Sequence, residues 1–315
     1  MSDTVIIFDE IFMEHEAGWR HPESPSRLKA IKEALEEDPG TSSLNWHQPR
    51  RATEEEILYN HTRDYVDLVR RKTAQGSYSL GFPDTGINSS SWEAALAAAG
   101  AVLTGVDMVM QGRAKNAFCP VRPPGHHARP MMGRGFCIFN NVAIAAWHAM
   151  KKYQMERVLI IDWDCHHGNG TQESFYSNSK VFFFSIHQDM WYPFTGKRSD
   201  TGDGDGRGTT MNFPFPAFTG GEEIIPAFTR HLVPAMEKYR PELVLVSAGF
   251  DGLQGDPLVN LALNVEDFVL MTRIAMDIAD KYAKGRLISA LEGGYNLDGL
   301  ARCCTAHVKE LMQLS

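Results

Sequence analysis

Asp162-Trp-Asp-Cys-His-His-Gly-Asn-Gly170 brings two carboxylates and an imidazole together within five residues, directly after the apolar run Val158-Leu-Ile-Ile161. In an extended chain successive side chains point to opposite faces, so Asp162, Asp164 and His166 share one side. Two acidic oxygens and a ring nitrogen just past a buried strand suit a borderline divalent cation such as Zn²⁺, which accepts both ligand types. The competing reading is a polar loop that merely caps a strand. Cys165 lies between two of these residues, but alternation sends it to the opposite face, as a packed thiol.

Three further clusters also follow apolar runs. Arg122-Pro-Pro-Gly-His-His127 carries adjacent histidines, His126 and His127, in a Pro/Gly-rich loop. Imidazoles buried in such a loop need partners. Ser247-Ala-Gly-Phe-Asp251 sets Asp251 just beyond a strand end, where it suits a third metal ligand, while Asp256, before Pro257, reads as the start of a turn. Glu292-Gly-Gly-Tyr-Asn296 places Tyr295 after Gly293 and Gly294, which would let a flexible loop carry the phenol to a reacting atom. A phenol there could donate to a developing oxyanion.

These clusters need a scaffold that gathers strand ends. Strand-like runs fall at 5–8, 117–120, 158–162, 181–187, 243–249 and 287–291, and helical patterns at 26–37, 62–73, 91–111, 141–153, 222–239, 265–283 and 298–313. The alternation indicates an α/β protein with a mostly parallel sheet covered by helices, and runs rich in Val, Ile and Leu agree with strands buried on both faces. Open sheets of this kind place ligands at the carboxyl ends of their strands. The longest irregular stretch, 188–218, includes Thr201-Gly-Asp-Gly-Asp-Gly-Arg-Gly208, which lacks the final Glu and flanking helices of a calcium loop. No linker divides the chain, so one domain over 1–315 is the simplest reading.

Composition narrows the class. Of 315 residues, 43% are hydrophobic, enough for a large core. No apolar run reads as a membrane span and no signal-peptide pattern opens the chain. The formal charge of −8, without basic clusters, argues against nucleic-acid partners and is compatible with cationic substrates. Five cysteines, with no Cys-x-x-Cys pair, fit reduced thiols in a cytoplasmic protein.

Taken in order, His21-Pro-Glu-Ser-Pro-Ser-Arg27, Arg122-Pro-Pro-Gly-His-His127, Gly135-Phe-Cys-Ile-Phe-Asn-Asn141, Asp162-Trp-Asp-Cys-His-His-Gly-Asn-Gly-Thr-Gln172, Ala248-Gly-Phe-Asp251 and Glu292-Gly-Gly-Tyr295 resemble the zinc-dependent histone deacetylase and acetylpolyamine amidohydrolase family, in its bacterial, class II-like form. The resemblance covers nearly the whole chain. It implies the three-layer arginase/deacetylase fold with a central eight-stranded sheet. It also implies one catalytic Zn²⁺ on Asp164, His166 and Asp251, His127 as general base and acid, His126 stabilising charge with Asp162 orienting it, Asn169 orienting His127, and Tyr295 stabilising the oxyanion. Phe136 and Gly135, with Trp191, Tyr192, Leu258, Gly293 and Gly294, would form the substrate tunnel; Phe194 is a further candidate for its wall. A K⁺ beside Asp162, Asp164, His166, Ser185 and Ile186 is a further implication, as is a homodimer, since subunits of some bacterial relatives narrow each other's entrance.

The resemblance leaves two substrates in competition: acetylpolyamines or related small acetylated amines, favoured here, and acetyl-lysine in proteins. Polyamine-selective eukaryotic relatives carry a glutamate where this chain has Leu258, so a cationic substrate would have to be read by other acids, with Glu14, Glu16, Glu23 and Asp84 as candidates. Arg27 would line the inner cavity or hold a loop. A catalytically silent binding protein, or an arginase-like dimanganese enzyme, are remoter readings.

Overall fold

The computed structural model describes residues 4–313. Its centre is an eight-stranded sheet: β1 (Thr4–Ile7), β2 (Asn45–His47), β3 (Asn116–Cys119), β4 (Val158–Asp162), β5 (Val181–Gln188), β6 (Thr210–Phe215), β7 (Leu243–Ala248) and β8 (Leu287–Leu291). The strands lie in the order β2-β1-β3-β8-β7-β4-β5-β6, and every pairing is parallel. All residues of β1, β3, β4, β5, β7 and β8 are buried, as expected of a parallel sheet covered on both faces.

The helices are α1 (Pro25–Glu37), α2 (Glu54–Ile57), α3 (Arg63–Ala74), α4 (Ser91–Met110), α5 (Asn141–Tyr153), α6 (Asn169–Phe175), α7 (Gly221–Ala227), α8 (Val233–Tyr239), α9 (Val265–Tyr282) and α10 (Leu297–Leu311). By length and composition α4 could cross a membrane, contrary to the expectation that no such run exists, but 72% of that stretch is buried inside the protein. Its alanine-rich surface lets it pack closely on α5, β3 and β8.

The expected helix over 222–239 is present without a gap, but its hydrogen-bond pattern changes midway. Pro226 lies inside α7 and Pro234 near the start of α8, and a π-helical turn, Phe228–Leu232, joins them. A proline inside a helix has no N–H to give the preceding turn, and π-turns absorb such interruptions. Two strands absent from the sequence reading, β2 and β6, occupy the two edges of the sheet, and β6 runs through the stretch expected to be irregular.

What matters for function is the middle. β3, β8, β7 and β4 are adjacent and in register to their ends: Cys119 pairs with Ala290, Ala248 with Leu291, and Asp162 with Ser247. Neighbouring strands lie about 4.8 Å apart. The loops leaving these four strands therefore emerge side by side, and they carry the His126-His127, Glu292–Tyr295, Asp251 and Asp162–His166 clusters.

Candidate active site

β4 ends at Asp162, and the chain then turns. Asp164 Oδ1 accepts the backbone N–H of His166 at 2.8 Å, so this turn, and not strand alternation, brings Asp164 and His166 together. Asp251 arrives from the β7 loop, anchored by the Cys165 N–H at 2.8 Å on Oδ1. His166 Nδ1 lies 3.0 Å from both Asp164 Oδ1 and Asp251 Oδ2. The ligand atoms of Asp164, His166 and Asp251 all lie within 4.8 Å of one another, the one such cluster of His, Cys, Asp or Glu among the described residues.

Asp251 Oδ2 is buried, and beyond its 3.0 Å ion-pair contact with His166 Nδ1 it has no partner in hydrogen-bond geometry. Burial, with Asp164 adding its charge, raises the Asp251 pKa. Burial also opposes ionisation of Asp164, but His126 and His166 hold its carboxyl below the ordinary range. A carboxylate oxygen left without a hydrogen bond beside a second carboxylate and an imidazole is costly in a dry interior and is the donor set a divalent cation satisfies. Asp162 is not part of the set: its Oδ2 lies 3.0 Å from His126 Nδ1. Cys165 is a buried thiol, raised well above its ordinary pKa chiefly by burial.

The adjacent histidines stack obliquely, ring centroids 4.0 Å apart, in opposite electrostatic settings. Burial disfavours the His126 cation, yet Asp162, Asp164 and Glu292 outweigh it and raise the ring to about 10. His127 is pushed well below its ordinary value by burial, then by its neighbours His126 and His166. Its Nδ1 pairs with Asn169 Oδ1 at 2.8 Å, at the start of α6. A ring protonated at Nδ1 keeps its lone pair on Nε2, the arrangement a base requires.

Both rings open into a cavity of about 400 Å³. Its lining includes His166, Gly135, Phe136, Gly293 and Tyr295. Trp191, Tyr192 and Phe194 all reach it, and so does Leu258. Gly294 does not; its carbonyl instead accepts from Arg27 Nε at 2.7 Å. Of the four candidate acids only Asp84 lines the cavity, while Glu14 and Glu16 are exposed elsewhere and Glu23 is fully buried. Ser185 and Ile186 are buried in β5, with Ser185 directly opposite Asp162.

Two glycines are required by close approach. Gly135 has φ +56°, and a Cβ there would overlap the His127 ring. Gly135→Ala is expected to cost about 1 kcal/mol or more in backbone strain and to lower kcat by displacing His127, read by thermal unfolding beside steady-state kinetics. Parent-like turnover would show that His127 can yield without loss. At Gly293, a Cβ would overlap the carboxylates of Asp251 and Asp164, and its N–H donates to Asp164 Oδ2 at 2.7 Å. The loop to Tyr295 is therefore pinned, contrary to the flexible loop expected from its glycines.

A histone deacetylase domain model matches residues 21–311 of the chain. The chain belongs to the histone deacetylase family. This family member is 38% identical, over 94% of its length and 82% of the relative's, to a probable deacetylase of Archaeoglobus fulgidus. It is 35% identical to the histone deacetylase-like amidohydrolase of Pseudomonas aeruginosa, over 98% of this chain and 86% of that one. The crystal structure of the HDA15 HD domain superposes with a TM-score of 0.93 at 36% identity, covering 99% of this chain and 88% of that one. The fold expectation, an arginase/deacetylase-like α/β architecture, holds, and the parallel sheet is complete.

Several residues that build this deacetylase-family site gave little sign in the sequence. Glu292 is wholly buried, and its carboxylate accepts the N–H groups of Gly125 (2.7 Å) and His126 (3.1 Å) and the Ser247 hydroxyl (3.1 Å). It thereby fixes the backbone beneath the histidine pair. The available signal was a carboxylate placed directly after a buried strand. Asp256 does begin a turn, accepting from Leu258 N at 2.9 Å, but its other oxygen accepts the Tyr295 N–H at 2.7 Å. Nothing local in Gly-Asp-Pro announces that long-range contact.

Proposed function

We propose that this histone deacetylase-family hydrolase is a zinc-dependent deacetylase of small acetylated amines, acetylpolyamines foremost. The observation that carries the reading is the buried Asp164–His166–Asp251 cluster, with its Asp251 oxygen lacking a hydrogen bond, at the foot of an apolar cavity flanked by two imidazoles. Zinc held by these three side chains would supply the Lewis acidity that polarises the acetyl carbonyl and makes water easier to deprotonate.

The chain's own groups perform the remaining work. His127 Nε2, its ring oriented by Asn169, takes the proton from the attacking water and returns it to the departing amine. His126, with Asp162 behind it, hydrogen-bonds the water and offsets the charge that develops. The Tyr295 hydroxyl donates to the tetrahedral oxyanion. Burial raises its pKa well above the phenol range, the nearby Asp251 and Asp164 carboxylates adding to this against Arg27, so the donor proton is retained. Phe136, Tyr192, Trp191 and Leu258 give apolar walls for a methylene chain ending in an acetamide. A K⁺ held near Asp162, Asp164, His166, Ser185 and Ile186 would be a structural ion.

The substrate reading is tested by comparing kcat/KM for acetylputrescine, acetylspermidine, acetylcadaverine and acetyl-lysine peptides in zinc-loaded enzyme. A uniform preference for peptides would replace small amines with protein acetyl-lysine as the substrate class. Leu258→Glu is expected to raise kcat/KM for acetylspermidine over an uncharged acetylated analogue by about fivefold, since one partly exposed charge pair is worth about 1 kcal/mol. An unchanged ratio would mean that the substrate's cation lies beyond the reach of residue 258.

A further inference from the structure

Glu23 was expected among acids that could read a cationic substrate, yet it never meets the cavity. It lies in the interior between two guanidiniums, and Glu23, Arg27 and Arg122 are all fully excluded from solvent. Glu23 Oε1 accepts from Arg27 Nη1 at 3.2 Å and from Arg122 Nε, and its Oε2 accepts from Arg122 Nη2 at 2.8 Å. The neighbouring His15, whose Nε2 is 3.6 Å from Oε2, is driven down to about 4 by burial. It is therefore neutral near pH 7, and one carboxylate serves two buried cations.

Each arginine belongs to a different part of the proposed machinery. Arg122 opens the loop that carries His126 and His127, and its Nη1 donates to Phe12 O at 2.9 Å. Arg27, on α1, donates Nε to Gly294 O at 2.7 Å and Nη2 to Glu292 O at 2.5 Å, holding the backbone just before Tyr295. Its guanidinium also lies 5.1 Å from the centroid of the Tyr295 ring. The histidine loop leaves β3 and the tyrosine loop leaves β8. Left to themselves, two buried guanidiniums would repel; a carboxylate between them turns that repulsion into two ion pairs, and its length sets their separation.

We propose that Glu23 is a positioning residue that fixes the distance between the His126–His127 loop and the Tyr295 loop, acting through Arg122 and Arg27. This rests on the roles proposed above for those three residues. Base and oxyanion donor act on the same carbonyl, one at the attacking water and one at the oxygen. Relative displacement of the loops thus penalises the transition state more than substrate binding, and a misplacement of about 1 Å can cost about 100-fold in rate.

The test is a double-mutant cycle in zinc-loaded protein, combining Glu23→Asp with Tyr295→Phe and measuring kcat, KM, thermal unfolding and bound zinc. Asp keeps the charge and shortens the reach. Glu23→Asp is expected to retain zinc, keep KM within about threefold and lower kcat by about 100-fold. In the Tyr295→Phe background the same change is expected to cost less than about tenfold, because the group being positioned is already gone. A lowered melting temperature with kcat within about twofold of the parent would make Glu23 a brace for the fold alone and overturn the proposal, as would equal losses in both backgrounds. Should Glu23→Asp not fold, Arg122→Lys, which keeps the cation but loses the planar fork, takes its place under the same criteria. Parental kcat in Tyr295→Phe by itself refutes the oxyanion role; an impaired Tyr295→Phe enzyme with equal Glu23 losses refutes only the clamp.

Discussion

Tyr295→Phe is expected to leave a folded, metal-binding protein whose kcat falls about 100- to 1000-fold, the range seen when a single oxyanion donor is removed. The substitution deletes one hydroxyl and little else. The phenyl ring can still meet Phe136 edge-on at 5.9 Å and lie over Arg27, and the backbone N–H stays held by Asp256. KM should change far less than kcat, because an acetamide oxygen carries little of the charge that the tetrahedral oxyanion does. Zinc content and melting temperature close to the parent's, measured beside the kinetics, separate loss of a donor from loss of the site. A variant turning over at near-parental rate would remove Tyr295 from the chemistry.

Asp251→Ala should abolish stable zinc binding. It removes one of the three proposed ligands, and loss of even a residue that only supports a ligand commonly costs 10- to 100-fold in metal affinity, so the fall should exceed about 100-fold. The metal-free protein should suffer little. The Cys165 N–H loses its acceptor, at about 1 to 2 kcal/mol, while Asp164 is relieved of a buried like charge that shares the site. Two readouts follow that need no turnover. Metal analysis should find the purified variant empty, and added zinc should raise the melting temperature of the parent but not of the variant. Full occupancy in the variant would reject Asp251 as a ligand.

The central strands could be read from the chain because they are continuous apolar runs buried on both faces, and all six expected strands end within one residue of where they lie. β2 and β6 could not. β2 is three residues of Asn-Trp-His, and β6 contains Pro214 and follows a glycine-rich loop. Edge strands tolerate proline and mixed burial, since one side of each makes no ladder, so they carry no distinctive pattern. The π-turn inside the helix over 222–239 is invisible for a different reason: the apolar periodicity runs on across it, while only the spacing of the backbone hydrogen bonds changes.

The local motif at the candidate metal cluster was legible in residue type but not in geometry. Asp164 and His166 converge through a turn closed by the His166 N–H, and Asp251, 87 residues after Asp164 along the chain, joins them from the loop after β7, held by the Cys165 N–H. The acids offered for cation recognition show the same limit more sharply. Glu23 and Asp84 look alike in the chain, but one is sealed between two arginines and the other faces the cavity.

By itself the sequence determined which chemical groups would be present and that each would follow a buried strand, because residue type and apolar patterning are local properties. The family also follows from that ordered set of clusters. Only the tertiary structure decided which groups meet. β3, β8, β7 and β4 are distant in the chain yet adjacent in the sheet, and that adjacency sets Glu292 under the histidines and Asp256 behind Tyr295, while the seating of the start of α1 against the loops after β3 and β8 sets Glu23 between Arg27 and Arg122. Such partners are chosen by strand order and by the need to satisfy every buried charge and N–H, conditions that exist only once the chain has closed around them.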